Sequence, residues 1–276
     1  GRILIYDICN LYKYTISYIF HLIMLFTQLI QANLRTKALG KKIEYYNRIG
    51  STNSEAWELL TLGADHGTIV LTDHQFQGKG RAGNSWFMGA GKGLAMSVIL
   101  KNKYSLKFLG LISLAVGIAA TKSIAQNGLD SKLKWPNDIF IYDKKVGGIL
   151  CETKIKKNAV ENMVVGIGIN VNEANNEFPD NIKDLSTSMA ICSNHPHQRE
   201  RVAAELLNFL ESLLQIIHHD PNKIVHEWLD RCGHLNDPIT FNDKGKVIEG
   251  IFSGLDDLGN ARIKTDLGNR VYRSIY

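Results

Sequence analysis

The most chemically pointed run in this chain is Lys134-Trp135-Pro136-Asn137-Asp138. Proline fixes φ and cannot donate to a strand ladder, so the lysine leaves an extended segment at a rigid turn, from which its ammonium can project into a cleft. Asn137 and Asp138 add an amide and a carboxylate. These can bind a hydroxyl or a hydrated Mg²⁺, which takes few protein ligands. Turn chemistry alone accounts for the same two residues. Upstream, Gly78-Lys79-Gly80-Arg81-Ala82-Gly83 spaces three glycines around one lysine and one arginine. Such a loop lets backbone N–H groups close on an anion while the cations neutralise carboxylate or phosphate charge. An ordinary surface loop has the same composition.

The glycine run satisfies G-x-G-x-x-G, but the context of a dinucleotide fold is missing. Asn84-Ser85-Trp86-Phe87 does not start a helix, and the next acidic residue is Asp130, far beyond the ribose-binding position. A phosphate-binding P-loop fails as well, because Lys79 and Lys92 are each followed by glycine where Ser or Thr is required. Two further segments, Lys145-Val146-Gly147-Gly148-Ile149-Leu150-Cys151-Glu152 and Gly166-Ile167-Gly168-Ile169-Asn170-Val171, read as strands interrupted by glycine. Glycine inside a strand marks a bulge or the close approach of another group. Glu152 reads as a partly exposed strand glutamate. Asn170 reads either as a nucleotide hydrogen-bonder or as a strand-end turn residue.

His195, His197, His218, His219 and His226 complete no metal-ligand spacing and read as surface histidines. Cys9, Cys151, Cys192 and Cys232 are scattered, which argues against a disulfide scaffold or a zinc site and suits a reducing cytoplasm. A net charge of +5 without dense basic tracts does not describe a nucleic-acid binder.

Around these residues the pattern sets out strands over 42–49, 68–73 and 94–100, a helix over 54–62, and a glycine-rich loop over 77–93. Ser105 is positioned to N-cap a long, all-round apolar helix ending before Gly128. Strands over 132–135, 138–142, 145–153 and 162–171 follow, then a polar loop over 172–193, an amphipathic helix over 200–219, and another opened by Pro221. Short strands over 238–241, 246–250, 261–265 and 270–276, separated by Asp/Gly/Asn turns, read as a small all-β barrel. Residues 14–34 carry no charge, but their Thr, Ser, His, Gln and Asn weaken a membrane reading, and an appended extension is expected.

Taken in order, Ser51-Thr52-Asn53, Gln75 with Gly78–Gly83 and Trp86, Lys134–Asp138, Lys145–Glu152 and Gly166–Asn170 resemble bacterial biotin–protein ligases over residues 43–276. The resemblance implies an α+β fold, with a mixed-sheet biotin/lipoate-ligase-like catalytic domain followed by a small SH3-like β-barrel. The division is a 1–40 apolar N-terminal extension, a 41–233 catalytic domain and a 234–276 C-terminal domain. It implies ATP with Mg²⁺, biotin as substrate, and transfer through biotinoyl-5'-AMP to a lysine of a biotin carboxyl carrier protein domain. By motif match, Lys134 and Arg81 are the catalytic pair. Ser51, Thr52, Asn53, Gln75, Gly78, Lys79, Gly80, Arg81, Lys134 and Gly147 would bind biotin. Arg81, Trp86, Lys134, Asn137 and Asn170 would bind ATP, with no resident metal ligand. The glycine loop departs from members that carry two or more arginines there, because this chain has Lys79 and Ala82. Bifunctional members carry a helix-turn-helix domain, for which the 40 residues before Lys41 are too few and too apolar. No nucleic acid or membrane partner is therefore expected; a homodimer is compatible with the resemblance. A lipoate–protein ligase and a non-catalytic sensor are the competing readings.

Overall fold

The computed structural model describes residues 24–101, 105–157, 159–243 and 245–273. The first element is a short helix, α1 (Thr27–Asn33). It is followed by β1 (Ile43–Ile49), α2 (Thr52–Thr61), β2 (Ile69–Gln75), a small ribbon of β3 (Gly78–Lys79) and β4 (Ser85–Trp86), and β5 (Leu94–Leu100). Then come α3 (Leu109–Gln126), β6 (Lys132–Lys134), β7 (Asp138–Ile141), β8 (Lys144–Lys156), β9 (Ala159–Ile169), α4 (Met189–Ser193), α5 (Arg199–His219) and α6 (Pro221–Leu229). The chain ends in β10 (Pro238–Asp243), β11 (Lys246–Leu255), β12 (Ala261–Thr265) and β13 (Gly268–Tyr272).

Seven strands form one mixed sheet in the order β1-β2-β5-β9-β8-β7-β6. Only β1 and β2 are parallel. Every residue of β5 is buried, as its unbroken apolar run requires of a central strand covered on both faces. On one face lies α3, packed along α5 and α6. α3 is long and apolar enough to cross a membrane, yet most of it is buried in this layer. Ser105 makes no side-chain cap; a 3-10 turn over Leu106–Phe108 leads into the helix instead. On the other face α2 covers β2, β5 and β9 through a smaller cluster of Ala56, Val70, Ile99 and Val164. α2 covers only part of that face, and what it leaves open becomes the cleft.

The C-terminal strands form a separate antiparallel meander, β10-β11-β12-β13. It matches the expected small β module, and no closure into a barrel is recorded among the described residues. The loop expected over 172–193 contains α4, which Ser188 caps by accepting from Ile191 N at 3.2 Å.

The expected N-terminal extension lies outside the described residues as far as residue 23. From Met24 onward the chain packs into the main core rather than preceding it. Leu25, Ile30 and Leu39 are buried in the main cluster. The reason lies in α5, whose outward polar residues take up the backbone of this segment. Glu200 accepts from Phe26 N, Asn208 from Arg35 N, and Glu211 from the amides of Lys37, Ala38 and Leu39 at 2.6, 2.7 and 3.0 Å. Burial opposes the Glu211 charge, but these amides outweigh it and hold the carboxyl below its ordinary range.

One buried ion pair joins three parts of the domain. Arg199, opening α5, donates to Asp73 of β2 at 2.8 Å, with side chains 3% and 4% exposed. Asp73 also accepts from Tyr45 Oη and from Leu25 N. Removing one member of a buried pair strands the other charge, at a cost of about 3–5 kcal/mol. Arg199→Met should therefore lower the unfolding free energy by about that much, measured by urea denaturation with an unchanged m-value.

Candidate functional site

β1 and β2 run parallel, so their C-terminal ends meet at the same edge, where α2 begins. Ser51 N-caps α2 in an extended backbone conformation, accepting from Ser54 N at a long 3.5 Å. Gln75, the last residue of β2, turns its side chain under that helix end. Its Oε1 accepts from Thr52 N at 2.8 Å and from Thr52 Oγ1 at 3.2 Å. Ser97 Oγ donates to Asn53 Oδ1 at 2.6 Å and lies 2.8 Å from Thr52 Oγ1. Asn53 Nδ2 donates to Glu152 Oε2 at 2.7 Å, and Trp57 Nε1 reaches the same oxygen at 3.3 Å. The result is a buried floor of hydroxyl and amide groups with their mutual bonds already set. Such a floor suits the uncharged polar end of a ligand, because each group keeps a fixed donor or acceptor direction.

The floor is accessible because β8 and β9 lack side chains where it lies. A Cβ on Gly166 would stand 2.3 Å from Asn53 Oδ1, and one on Gly168 would stand 2.4 Å from Trp86 Cε2. Trp86 comes from the β3–β4 ribbon, paired Gly78↔Trp86 and Lys79↔Ser85. The ribbon closes on itself tightly; a Cβ at Gly78 would meet Trp86 O at 2.3 Å. Its tip turns through Ala82 and Gly83, both left-handed with φ of 55° and 80°. This tip presents Lys79 and Arg81 over the strands. The Arg81 guanidinium carbon sits 5.8 Å from the centre of the Trp135 ring.

The opposite wall is the turn between β6 and β7. Asn137 Nδ2 donates to Ile149 O at 2.8 Å, and Ile149 N to Asn137 O at 2.9 Å, which pins the turn to β8. Asp138 pairs with Lys145 Nζ at 2.6 Å, and that ammonium lies 5.8 Å from the Trp86 ring centre. Phe241 and Asn242 of β10 complete the wall. Together these elements enclose a cleft of about 330 Å³, and an adjoining hollow of about 770 Å³ continues along β8 past Leu150. Cations from Lys79, Arg81 and Lys145 thus surround a cleft floored by hydroxyl and amide groups, a disposition suited to bringing anionic groups together. Burial pushes the Cys151 thiol beside it up to about 12, which disfavours the thiolate. Among the described residues no three His, Cys, Asp or Glu side chains gather to hold a metal.

The structure brings together Ser51, Thr52, Asn53, Gln75, Lys79, Gly80, Arg81, Trp86 and Asn137. Gly78 sits directly behind them, against Gln75. Three expected residues lie off the cleft wall. Gly147 faces away from it, with Ile139 Cδ1 3.1 Å from where its Cβ would be, because side-chain directions alternate along β8 and Gly148 takes the cleft side. Asn170 is buried behind β9, with Nδ2 donating to Thr187 O at 2.9 Å. Lys134 is exposed, its ammonium 5.6 Å from the Phe140 ring centre. Its register partner is Asp138, so it stands on the same face of the hairpin as that cleft carboxylate. Sequence reading missed Ser97, Lys145 as a cleft cation, Phe241 and Asn242, and it read Glu152 as a plain strand residue. Ser97 had a signal: one hydroxyl at an inward position of Leu94–Leu100.

A second buried acid lies behind the ribbon. Glu173 is fully buried and accepts from Gly89 N at 3.3 Å. Burial pushes its carboxyl up to about 7.

A profile of the Biotin/lipoate A/B protein ligase family matches residues 45–170, and one of the Biotin protein ligase C terminal domain matches residues 234–275. The chain is 36% identical to the bifunctional ligase/repressor BirA of Bacillus spizizenii over 241 residues, covering 87% of this chain and 74% of that protein. It is 28% identical to the biotin--[acetyl-CoA-carboxylase] ligase of Mycobacterium tuberculosis over 253 residues, covering 87% of this chain and 91% of that one. Among solved structures, the biotin protein ligase of Aquifex aeolicus in complex with biotin and ATP superposes with a TM-score of 0.69 at 26% identity, covering 84% of this chain and 96% of that one.

Two outcomes follow from this geometry. Gly168→Ala should drive the Trp86 indole off β9, read as a red-shifted tryptophan emission and weakened ligand binding in the cleft. For Glu173, a carboxyl raised from 4.5 to about 7 contributes its full stability below the lower value and loses it as pH rises through the upper one. Melting curves of wild type and Glu173→Gln should therefore coincide below pH 4.5, diverge as pH rises and be fully separated above pH 7, with the variant more stable by about 3 kcal/mol.

Proposed function

The chain belongs to the biotin/lipoate A/B protein ligase family as a biotin–protein ligase, and on that premise we propose that it converts biotin and ATP to biotinoyl-5'-AMP and passes the biotinoyl group to one lysine of a biotin carboxyl carrier protein domain. The observation that carries this reading is the floor of hydroxyls and amides and the cluster of cations sharing one cleft.

In the first step a biotin carboxylate oxygen bonds to the α-phosphorus of ATP, and the bond to pyrophosphate breaks. Two anions must approach, and cations set in advance offset their repulsion without reorganising at the moment of reaction. Thr52, Asn53 and Gln75 would hold the ureido ring, whose N–H and C=O groups need both acceptors and donors. Arg81 and Lys79, on the ribbon tip, would sit over the carboxylate and α-phosphate and close the mixed anhydride off from water. Trp86 would pack beside the adenine. Lys134 would reach the reacting groups by rotation of its exposed stem, since it shares the hairpin face with Asp138; Lys145 is already at the cleft. Mg²⁺ would arrive with ATP. The cleft carries the single carboxylate of Asp138 and the amide of Asn137, which accords with an ion that keeps most of its waters and phosphate ligands. In the second step the carrier lysine amine attacks the adenylate carbonyl, AMP leaves, and the amide forms with loss of a proton. No enzyme-bound covalent intermediate is required. The reaction suits a cytoplasmic enzyme, where ATP and carboxylases meet.

Transfer of labelled biotin to an apo carrier domain tests the reading. Wild type should transfer with Mg·ATP and stop when EDTA is added. Arg81→Ala should lose about 10²-fold in adenylate formation, the usual effect of removing one charge-stabilising donor. Lys134→Ala and Lys145→Ala, run side by side, identify the lysine that moves to the phosphate: the one lost with a comparable factor is the catalytic cation. A wild type that binds biotin but transfers none would make the protein a sensor.

A further inference from the structure

Beside β6 runs a short segment that behaves as one more strand. Leu133 N donates to Arg231 O at 2.8 Å, and Gly233 N donates to Leu133 O at 2.9 Å, a parallel bridge centred on Leu133 and Cys232. Continued regularly, the next rung would run from Trp135 N to a backbone carbonyl. It does not. Trp135 N donates to His234 Nε2 at 3.3 Å, so an imidazole stands where a peptide oxygen would be. An acceptor at Nε2 fixes the tautomer, with the proton on Nδ1, which lies 3.3 Å from Cys232 Sγ. The ring is 5% exposed and stacked on Phe252 of the C-terminal sheet, with centroids 4.3 Å apart, and Trp228 abuts it edge-on at 6.3 Å. Burial, then the nearby charge of Lys134, lower its pKa to about 4, opposed by a hydrogen bond to the Leu133 backbone and then by Asp237; the ring is therefore neutral around pH 7.

We propose that His234 is a positioning residue for the cleft: its imidazole accepts from the Trp135 amide and thereby sets the turn over residues 135–138, which presents Asn137 and Asp138, against the C-terminal sheet. This extends the ligase reading above and rests on it. The turn is also held by the buried Trp135 ring, packed against Phe241 and Phe252, but a ring contact does not fix the peptide plane as a hydrogen bond does. β6 and β7 stop pairing at Lys134 and Asp138, and the bonds between Asn137 and Ile149 hold only its far side. A buried N–H left without an acceptor pulls toward any new partner, and the groups carried by the turn move with it.

Biotin-dependent pyrophosphate release is measured for wild type, His234→Phe and His234→Gln, with kcat and the KM values for ATP and biotin resolved. Phe retains the stacking on Phe252 and removes the acceptor. Gln carries an amide oxygen to about the place of Nε2. The Phe variant, checked as folded by circular dichroism at the assay temperature, should lose about tenfold or more in kcat/KM for ATP, while the Gln variant stays within about threefold of wild type. KM for biotin should change less than about twofold, since its floor lies across the cleft; a mere loss of folded protein would lower kcat alone and spare both KM values. A Phe variant as active as wild type overturns the proposal, as does a Gln variant impaired as badly as Phe. Should Phe not fold, Gln decides alone: within about threefold supports the acceptor role and a larger loss overturns it. A wild type that releases no pyrophosphate overturns the ligase reading and this one together, whereas the variant outcomes above leave the ligase reading standing.

Discussion

The absence of side chains at Gly166 and Gly168 is the constraint on which the cleft depends. Both residues point to the same side of β9, and the space a methyl would fill is taken by Asn53 in one case and Trp86 in the other. Asn53 fixes the polar floor through Ser97 and Glu152. Trp86 fixes where the ribbon lies, and with it Lys79 and Arg81. A sheet with ordinary side chains here would push the helix end and the ribbon apart and leave a shallow surface. The conformational cost of glycine in strands is met by the central position of β9, hydrogen-bonded on both edges by β5 and β8.

Charge is arranged with equal economy. The floor's hydroxyls and amides bond one another and, through Asn53, the Glu152 carboxylate, while the cations stand on the walls. Lys145 is held by Asp138 in a 2.6 Å pair, both side chains about a third exposed. An exposed pair of this kind adds little to stability, but it aims an ammonium that would otherwise wander. Deeper in the domain, the Asp73–Arg199 pair serves another end. It ties β2, α5 and the segment entering at Leu25 into one unit behind the cleft.

Much of this was legible in the residues. Periodicity located nearly every strand and helix to within a few positions, because apolar runs such as Leu94–Leu100 and the α3 sequence admit few other states. The loop motifs marked the cleft, since glycine and proline impose their geometry locally. What could not be read was contact across long separations. Ser97 is hidden in an apolar strand, Phe241 and Asn242 arrive from another module, and whether Gly147 or Gly148 faces the cleft depends on a one-residue register. The segment from Met24 to Gly40 looked like an appendage because its partners are remote in sequence: Leu25, Ile30 and Leu39 bury in the main core, and Glu200, Asn208 and Glu211 take up its backbone amides. The placement of Lys134 outside the cleft wall is a side-chain matter that spacing does not address.

The wall contributed by Phe241 and Asn242 has a bearing on the order in which the protein is made. A ribosome delivers Ser51–Asn53, the ribbon and the Lys134–Asp138 turn long before β10 (Pro238–Asp243), so a nascent chain can assemble the floor and three sides while one side remains open to water. The cleft closes only when the β10–β13 meander leaves the exit tunnel and stacks Phe252 against His234 and Trp135. The order of synthesis thus sets the order of assembly, and of the cleft's walls the one from β10 is the last to be made.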